Sequence, residues 1–102
     1  MSEITSLISE IRSFADARNW EIFHTPKNLS MAIAGEAGEL VSEFQWLTAD
    51  ESLKSNLPPA KLHDVEMEIA DVAIYLFRLT DVLGVDLAAV MREKMAINEN
   101  RF

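Results

Sequence analysis

Apolar residues recur every three to four positions along most of this chain, and no β-branched run alternates with polar residues as a strand would require. Ile4, Leu7, Ile8, Ile11 and Phe14 form a first stripe, predicting a helix from about Glu3 to Arg18 with Ser2 as its N-cap. Asn19 to Thr25 is a connector. Thr25-Pro26 has the form of an N-cap followed by proline at the first helical position, and launches a second helix towards about Leu47. Its stripe is Leu29, Ile33, Ala37, Leu40, Val41 and Phe44. A polar stretch follows from Thr48 to Leu57, where Thr48-x-x-Glu51 suits a capping box for one short helical turn. Pro58-Pro59 resets the chain, and Val65, Ile69, Val72, Leu76, Leu79 and Leu83 predict a long helix from about Pro59 to Leu83. Gly84 tolerates the left-handed conformation of a C-cap, and Asp86 caps a last helix from Leu87 to about Asn100. The fold class is therefore all-α, a helical bundle of four main helices plus a short turn, with residues 1–102 a single domain.

Two acidic pairs interrupt this pattern, Glu36-x-x-Glu39 and Glu68-x-x-Asp71. A residue three positions on lies about 60° around a helix and about 4.5 Å along it, so each pair points one way. Glu36 falls within or beside the second helix's apolar stripe, and Glu68 and Asp71 flank the next one. Packing these helices together crowds carboxylates at a low-dielectric seam. Unpartnered buried charges cost several kcal/mol and like charges repel, so the groups must take up protons or share a cation. Hard divalent ions such as Mg²⁺ favour carboxylate oxygen. Gly35 and Gly38 bracket Glu36, and each glycine inside a helix costs about 1 kcal/mol relative to alanine. Close approach of another helix or a ligand would offset that; a helix break at Gly38 is the alternative.

Composition narrows the partners. Hydrophobic residues make up 49% of only 102, more than one small core readily hides, which predicts a homodimer or homotetramer. A net charge of −8 argues against a nucleic acid polymer as ligand, because phosphate binding needs a basic patch. With no cysteine there is no disulfide framework, thiolate metal site or cysteine nucleophile. No basic n-region with an apolar run opens the chain, and no segment approaches the roughly 18 apolar residues of a membrane span. A soluble, cytoplasmic protein is expected.

Four blocks in order carry a resemblance to a known family. They are Arg18-Asn19-Trp20-Glu21-x-Phe23-His24-x-Pro26-Lys27-Asn28-Leu29; Gly35-Glu36-x-Gly38-Glu39-Leu40 with Phe44-Gln45-Trp46; Glu68-x-x-Asp71-Val72-x-Ile74-Tyr75-Leu76; and Val85-Asp86-Leu87 with Lys94-Met95-x-x-Asn98-x-x-Arg101. Together they resemble the all-α nucleoside triphosphate pyrophosphohydrolases of the MazG type, most closely the dCTP pyrophosphatase branch. The resemblance implies an oligomeric helical bundle that hydrolyses a (deoxy)nucleoside triphosphate to a monophosphate and pyrophosphate. It implies Glu36, Glu39, Glu68 and Asp71 as Mg²⁺ ligands and catalytic residues, in agreement with the carboxylate argument. Water attacks the α-phosphorus in such a scheme and no protein nucleophile is needed; one of the carboxylates, or Glu43, would accept its proton. Lys94, Asn98 and Arg101, at i, i+4 and i+7 on one face of the last helix, would meet the phosphates, with Lys27 a further candidate cation. Trp20 and Trp46 would stack the base, each contact worth about 1–3 kcal/mol. His24 and Asn28 would make polar contacts with the nucleoside, and Tyr75 would reach the metal or the sugar.

Two other classes fit less well. A di-iron bundle needs Glu-x-x-His on two helices, and Glu21-x-x-His24 is the one instance, in a connector. A non-catalytic acidic helical module that binds a partner is compatible with the charge and the apolar excess, and differs in requiring neither Mg²⁺ nor turnover.

Overall fold

In the computed structural model, which describes residues 2–102, four helices and one 3₁₀ turn account for all regular structure among those residues. Helix α1 spans Glu3–Ala17, α2 Pro26–Phe44, α3 Pro59–Leu83 and α4 Leu87–Arg101, with the 3₁₀ turn at Lys54–Asn56. No helix is long and apolar enough to cross a membrane.

Local chemistry sets the boundaries. Ser2, Thr25 and Asp86 each accept a hydrogen bond from the backbone N–H three residues on, satisfying a donor that the first turn leaves free. At the end of α1, Asn19 takes a left-handed φ of 56°, Trp20 N–H donates to Ala15 O (3.0 Å) and Asn19 N–H to Asp16 O (3.1 Å). That is a Schellman motif, and it fixes where Trp20 leaves the helix. Gly84, at φ 67°, closes α3 in the same way, with Val85 N–H donating to Thr80 O (2.9 Å) and Gly84 N–H to Asp81 O (3.1 Å).

Two expected boundaries shift. Helix α2 ends at Phe44, not Leu47, and Gln45–Leu47 form a turn. The capping box at Thr48 forms, with Thr48 N–H on Glu51 Oε1 (2.8 Å) and Glu51 N–H on Thr48 Oγ1 (3.1 Å). It closes a turn rather than opening a helix; the 3₁₀ turn begins later, at Lys54.

Helix α3 is the axis of the molecule, with α2 and α1 packed antiparallel to it: Glu43 at the end of α2 meets Lys61 at the start of α3, and Arg12 of α1 meets Asp81 while Phe14 and Ala15, further on, share a cavity with Ile74 and Asp71, further back. Leu29 (1% exposed), Val65 and Ala15 are the buried apolar residues among those described. Truncating Leu29 to alanine should cost about 2–5 kcal/mol. The predicted stripes are only partly hidden, since Leu7, Phe14, Val41, Ile69, Leu76 and Leu83 remain exposed in the single chain. Helix α4 makes slight contact with the other helices and leaves Val90, Met91, Met95 and Ile97 in solvent.

Candidate active site

The antiparallel α2–α3 pair brings three of the four predicted acids together. One carboxylate oxygen from each of Glu36, Glu68 and Asp71 lies within 4.8 Å of the others. Glu36 and Glu68 are half-buried, and Oε2 of Glu68 is buried without a hydrogen-bond partner. Burial pushes the Glu68 carboxyl above its ordinary value, and the negative charges of Asp71, Glu36, Glu39 and Glu43 add to it. An orphaned oxygen in a nest of like charges is the environment a divalent cation relieves, so these oxygen donors fit Mg²⁺. Glu39 is exposed and stands outside the close triangle, though near enough for its charge to act on Glu68. Glu43, one turn further, is held by Nζ of Lys61 at 2.7 Å.

Asp71 also lines a cavity of about 270 Å³ with Trp20, His24, Ile74, Tyr75 and Arg78, closed on the α1 side by Ile11, Phe14 and Ala15. The Schellman turn delivers Trp20 here, where its ring meets Phe14 edge-on at 5.6 Å and His24 at 5.9 Å. The guanidinium of Arg18 sits 3.4 Å over the Phe14 ring. His24 lies one helical turn past Trp20, its N–H on Trp20 O (3.1 Å).

The other predicted residues belong neither to the acid triangle nor to the cavity wall. Trp46, 87% exposed, stands beyond the end of α2 and outside the cavity. Asn28 spends its side-chain amide on Phe23 O (3.0 Å), which pins the connector. Lys27 is exposed in the first turn of α2. Lys94 lines a shallow hollow on α4 with Val90, Met91 and Ile97; Arg101 stacks on Phe102 at 5.1 Å; and Asn98 Oδ1 is buried without a partner.

One group of residues escaped the sequence reading. Arg12 grips Asp81 through both carboxylate oxygens, Asp81 accepts from Arg78, and Arg78 donates to His24. The signal was a single charged residue inside the apolar run Leu76-Phe77-Arg78-Leu79. The Arg12 hydrogen bond, aided by the Arg12 and Arg78 charges against the effect of burial, holds the Asp81 carboxyl below the usual range.

The geometry defines a helical protein whose paired carboxylates could hold a divalent cation at the mouth of an aromatic cavity. Residues 31–102 match the MazG-like family, and the chain belongs to it. It is similar to human dCTP pyrophosphatase 1, 42% identical over 89 residues, and to the mouse protein of that name at 40%. Those matches cover 87% of this chain and 52% of each relative, so the chain spans about half the length of these curated relatives. The crystal structure of a pyrophosphatase from Archaeoglobus fulgidus DSM 4304 superposes with a TM-score of 0.90 at 37% identity, covering 100% of this chain and 94% of that one.

Proposed function

We propose that this protein hydrolyses a nucleoside triphosphate, with a cytosine deoxynucleotide as the leading candidate, to a nucleoside monophosphate and pyrophosphate. The observation that carries the reading is the position of Asp71, which belongs both to the acid triangle and to the wall of the aromatic cavity. A flat ring between Trp20 and Tyr75 would set its phosphates beside Glu36, Glu68 and Asp71. Carboxylates alone would repel a triphosphate, so this neighbourhood makes sense with a cation between them. When bound, Mg²⁺ would offset charge developing on the phosphate oxygens and acidify the attacking water.

The chain's own residues supply the rest. Glu36, Glu68 and Asp71 would hold the cation, and Glu39 would add a fourth carboxylate to that set. Lys61 pairs with Glu43 at 2.7 Å, so this carboxylate is occupied by a cation of the chain itself. Trp20 offers a face for stacking. The names of the relatives, dCTP pyrophosphatase 1 and a pyrophosphatase, support the reaction class. A non-catalytic module would leave the buried, unpartnered Glu68 oxygen without a purpose.

The working species is a homodimer or homotetramer. In it, Trp46 and the Lys94, Asn98 and Arg101 face of α4 complete the site of a neighbouring chain. The support is that none of them belongs to the acid triangle or the cavity wall of its own chain, while exposed apolar side chains flank Lys94 on α4 and Trp46 is itself exposed.

The test is a panel of deoxy- and ribonucleoside triphosphates incubated with purified protein, with and without Mg²⁺, with pyrophosphate detected. Cation-dependent pyrophosphate release is expected, fastest on a cytosine nucleotide. Release of orthophosphate alone, or none from any nucleotide, would refute the reading.

A further inference from the structure

The charged chain Arg12–Asp81–Arg78, which ends at His24 on the cavity wall, is given no role by the reaction as described. Nε and Nη2 of Arg12 reach Oδ2 and Oδ1 of Asp81 at 2.8 and 2.6 Å, Nη1 of Arg78 reaches Oδ2 of Asp81 at 3.3 Å, and Nε of Arg78 donates to Nδ1 of His24 at 3.0 Å. Arg78 is 5% exposed. A charge at that depth is costly to desolvate, and a pair buried in this way is often no more stabilising than apolar residues of the same volume. Packing α1 on α3 therefore does not explain the arginine.

Its hydrogen-bonding chemistry does. A guanidinium carries donors and no acceptor, so Nδ1 of His24 must accept. A neutral imidazole has one N–H, which then resides on Nε2. Among the described residues, no protein acceptor takes that hydrogen, and the ring lines the cavity. Burial, then the Arg78 charge, hold His24 below the usual histidine range, consistent with a neutral ring. Asp81, clamped by Arg12, orients the guanidinium so that Nε faces the ring.

We infer that Arg78 is a specificity-determining positioning residue: by occupying Nδ1 it fixes His24 as a donor at Nε2, so this ring presents the nucleoside with a donor and never an acceptor. The inference rests on the cavity being the nucleoside pocket. A fixed donor favours a base with an acceptor at the matching edge, such as the unprotonated N3 of cytosine. It disfavours a base with N–H there, as in uracil or thymine, because two facing donors leave both unpaired.

Long-range ¹H–¹⁵N NMR of the labelled wild-type protein reads the tautomer whether or not any nucleotide is turned over. A single Nε2–H form is expected for His24; an Nδ1–H form or a mixture overturns the inference. Arg78→Met keeps apolar volume without a donor and should admit the second tautomer. The kcat/KM preference for cytosine over uracil and thymine triphosphates should shrink about tenfold. In a His24→Ala background, Arg78→Met should shift the preference no further. Equal compression in both backgrounds would show that Arg78 merely supports the fold and would overturn the inference. Should Arg78→Met fail to fold, His24→Ala decides, since it must lose the same preference. If the wild type turns over no nucleotide, the hydrolase reading falls. The same comparisons are then made by equilibrium binding of those nucleotides with Mg²⁺, with the same results supporting or overturning the role of Arg78.

Discussion

Glu68 is the residue on which the chemistry and the stability of the site both turn. Its folded-state pKa is raised, by burial first and by neighbouring carboxylates second, above the ordinary 4.5. A raised acid is protonated more readily in the folded chain than in the unfolded one. Its stabilising contribution is thus full below the ordinary value and lost as pH rises through the raised one. Without cation, the melting temperature should fall across that window, and Glu68→Gln should melt higher than wild type at neutral pH. Mg²⁺ should stabilise the wild type by binding the folded state and do little for the variant. Activity of Glu68→Gln should fall by about 10²-fold or more. Calorimetry with and without Mg²⁺, over pH 4 to 8, checks the stabilities and pyrophosphate release checks the activity, and a variant that Mg²⁺ still stabilises would remove Glu68 from the cation site. That Glu36, Glu68 and Asp71 face one another was legible, because a repeated three-residue spacing on amphipathic helices specifies a face. That Glu39 stands apart from the triangle was not, since a spacing fixes direction and not depth. Nor was the Arg12–Asp81–Arg78–His24 chain, whose members are separated by as many as 69 positions and meet only when α1 lies on α3.

At the scale of elements, local signals were the most faithful. Ser2, Thr25, Gly84 and Asp86 each ended or began a helix as their cap chemistry requires. Leu47 continues the apolar spacing of α2 yet lies beyond its end, because apolar spacing does not register where the backbone turns. The two glycines beside Glu36 pose a sharper question. Helix α2 runs through both without a break, and a Cβ added at either would meet nothing within 4 Å inside the chain. Their cost of about 1 kcal/mol each is therefore not repaid by intrachain packing. This bare stretch of backbone leaves room for a phosphate or a neighbouring helix from outside the chain, whose approach would offset that cost. Gly35→Ala should leave helical content unchanged in circular dichroism and lower kcat/KM at least tenfold. A variant that melts higher and works as well as wild type would mean that the glycine serves neither.

The whole molecule is too open for its size. Its accessible surface is 7513 Å² at 11.5 kDa, where a folded monomer of that mass should expose about 5,800 Å². Its radius of gyration is 16.1 Å against about 13 Å expected for this length. Large apolar side chains are exposed on every helix, among them Phe14 on α1, Met31 and Val41 on α2, Met67, Ile69, Ile74 and Leu76 on α3, and Val90, Met91, Met95 and Ile97 on α4, with Trp46 beyond α2. Apolar exposure on this scale is a mark of an interface. Light scattering at micromolar concentration should therefore give at least twice the 11.5 kDa chain mass. Met91→Glu sets a charge in the α4 patch and leaves the carboxylates untouched, so it should lower the mass and the activity together. A further comparison separates assembly from recognition. Trp46→Ala should retain the oligomer yet weaken base discrimination, because stacking depends on which base is present. Lys94→Ala should weaken all nucleotides by a similar factor, because the triphosphate is common to them. Mass and kcat/KM over the nucleotide panel read both effects. A fully active monomer would refute the shared site, and a Lys94 variant that reorders the nucleotides while Trp46→Ala lowers them uniformly would reverse the two roles.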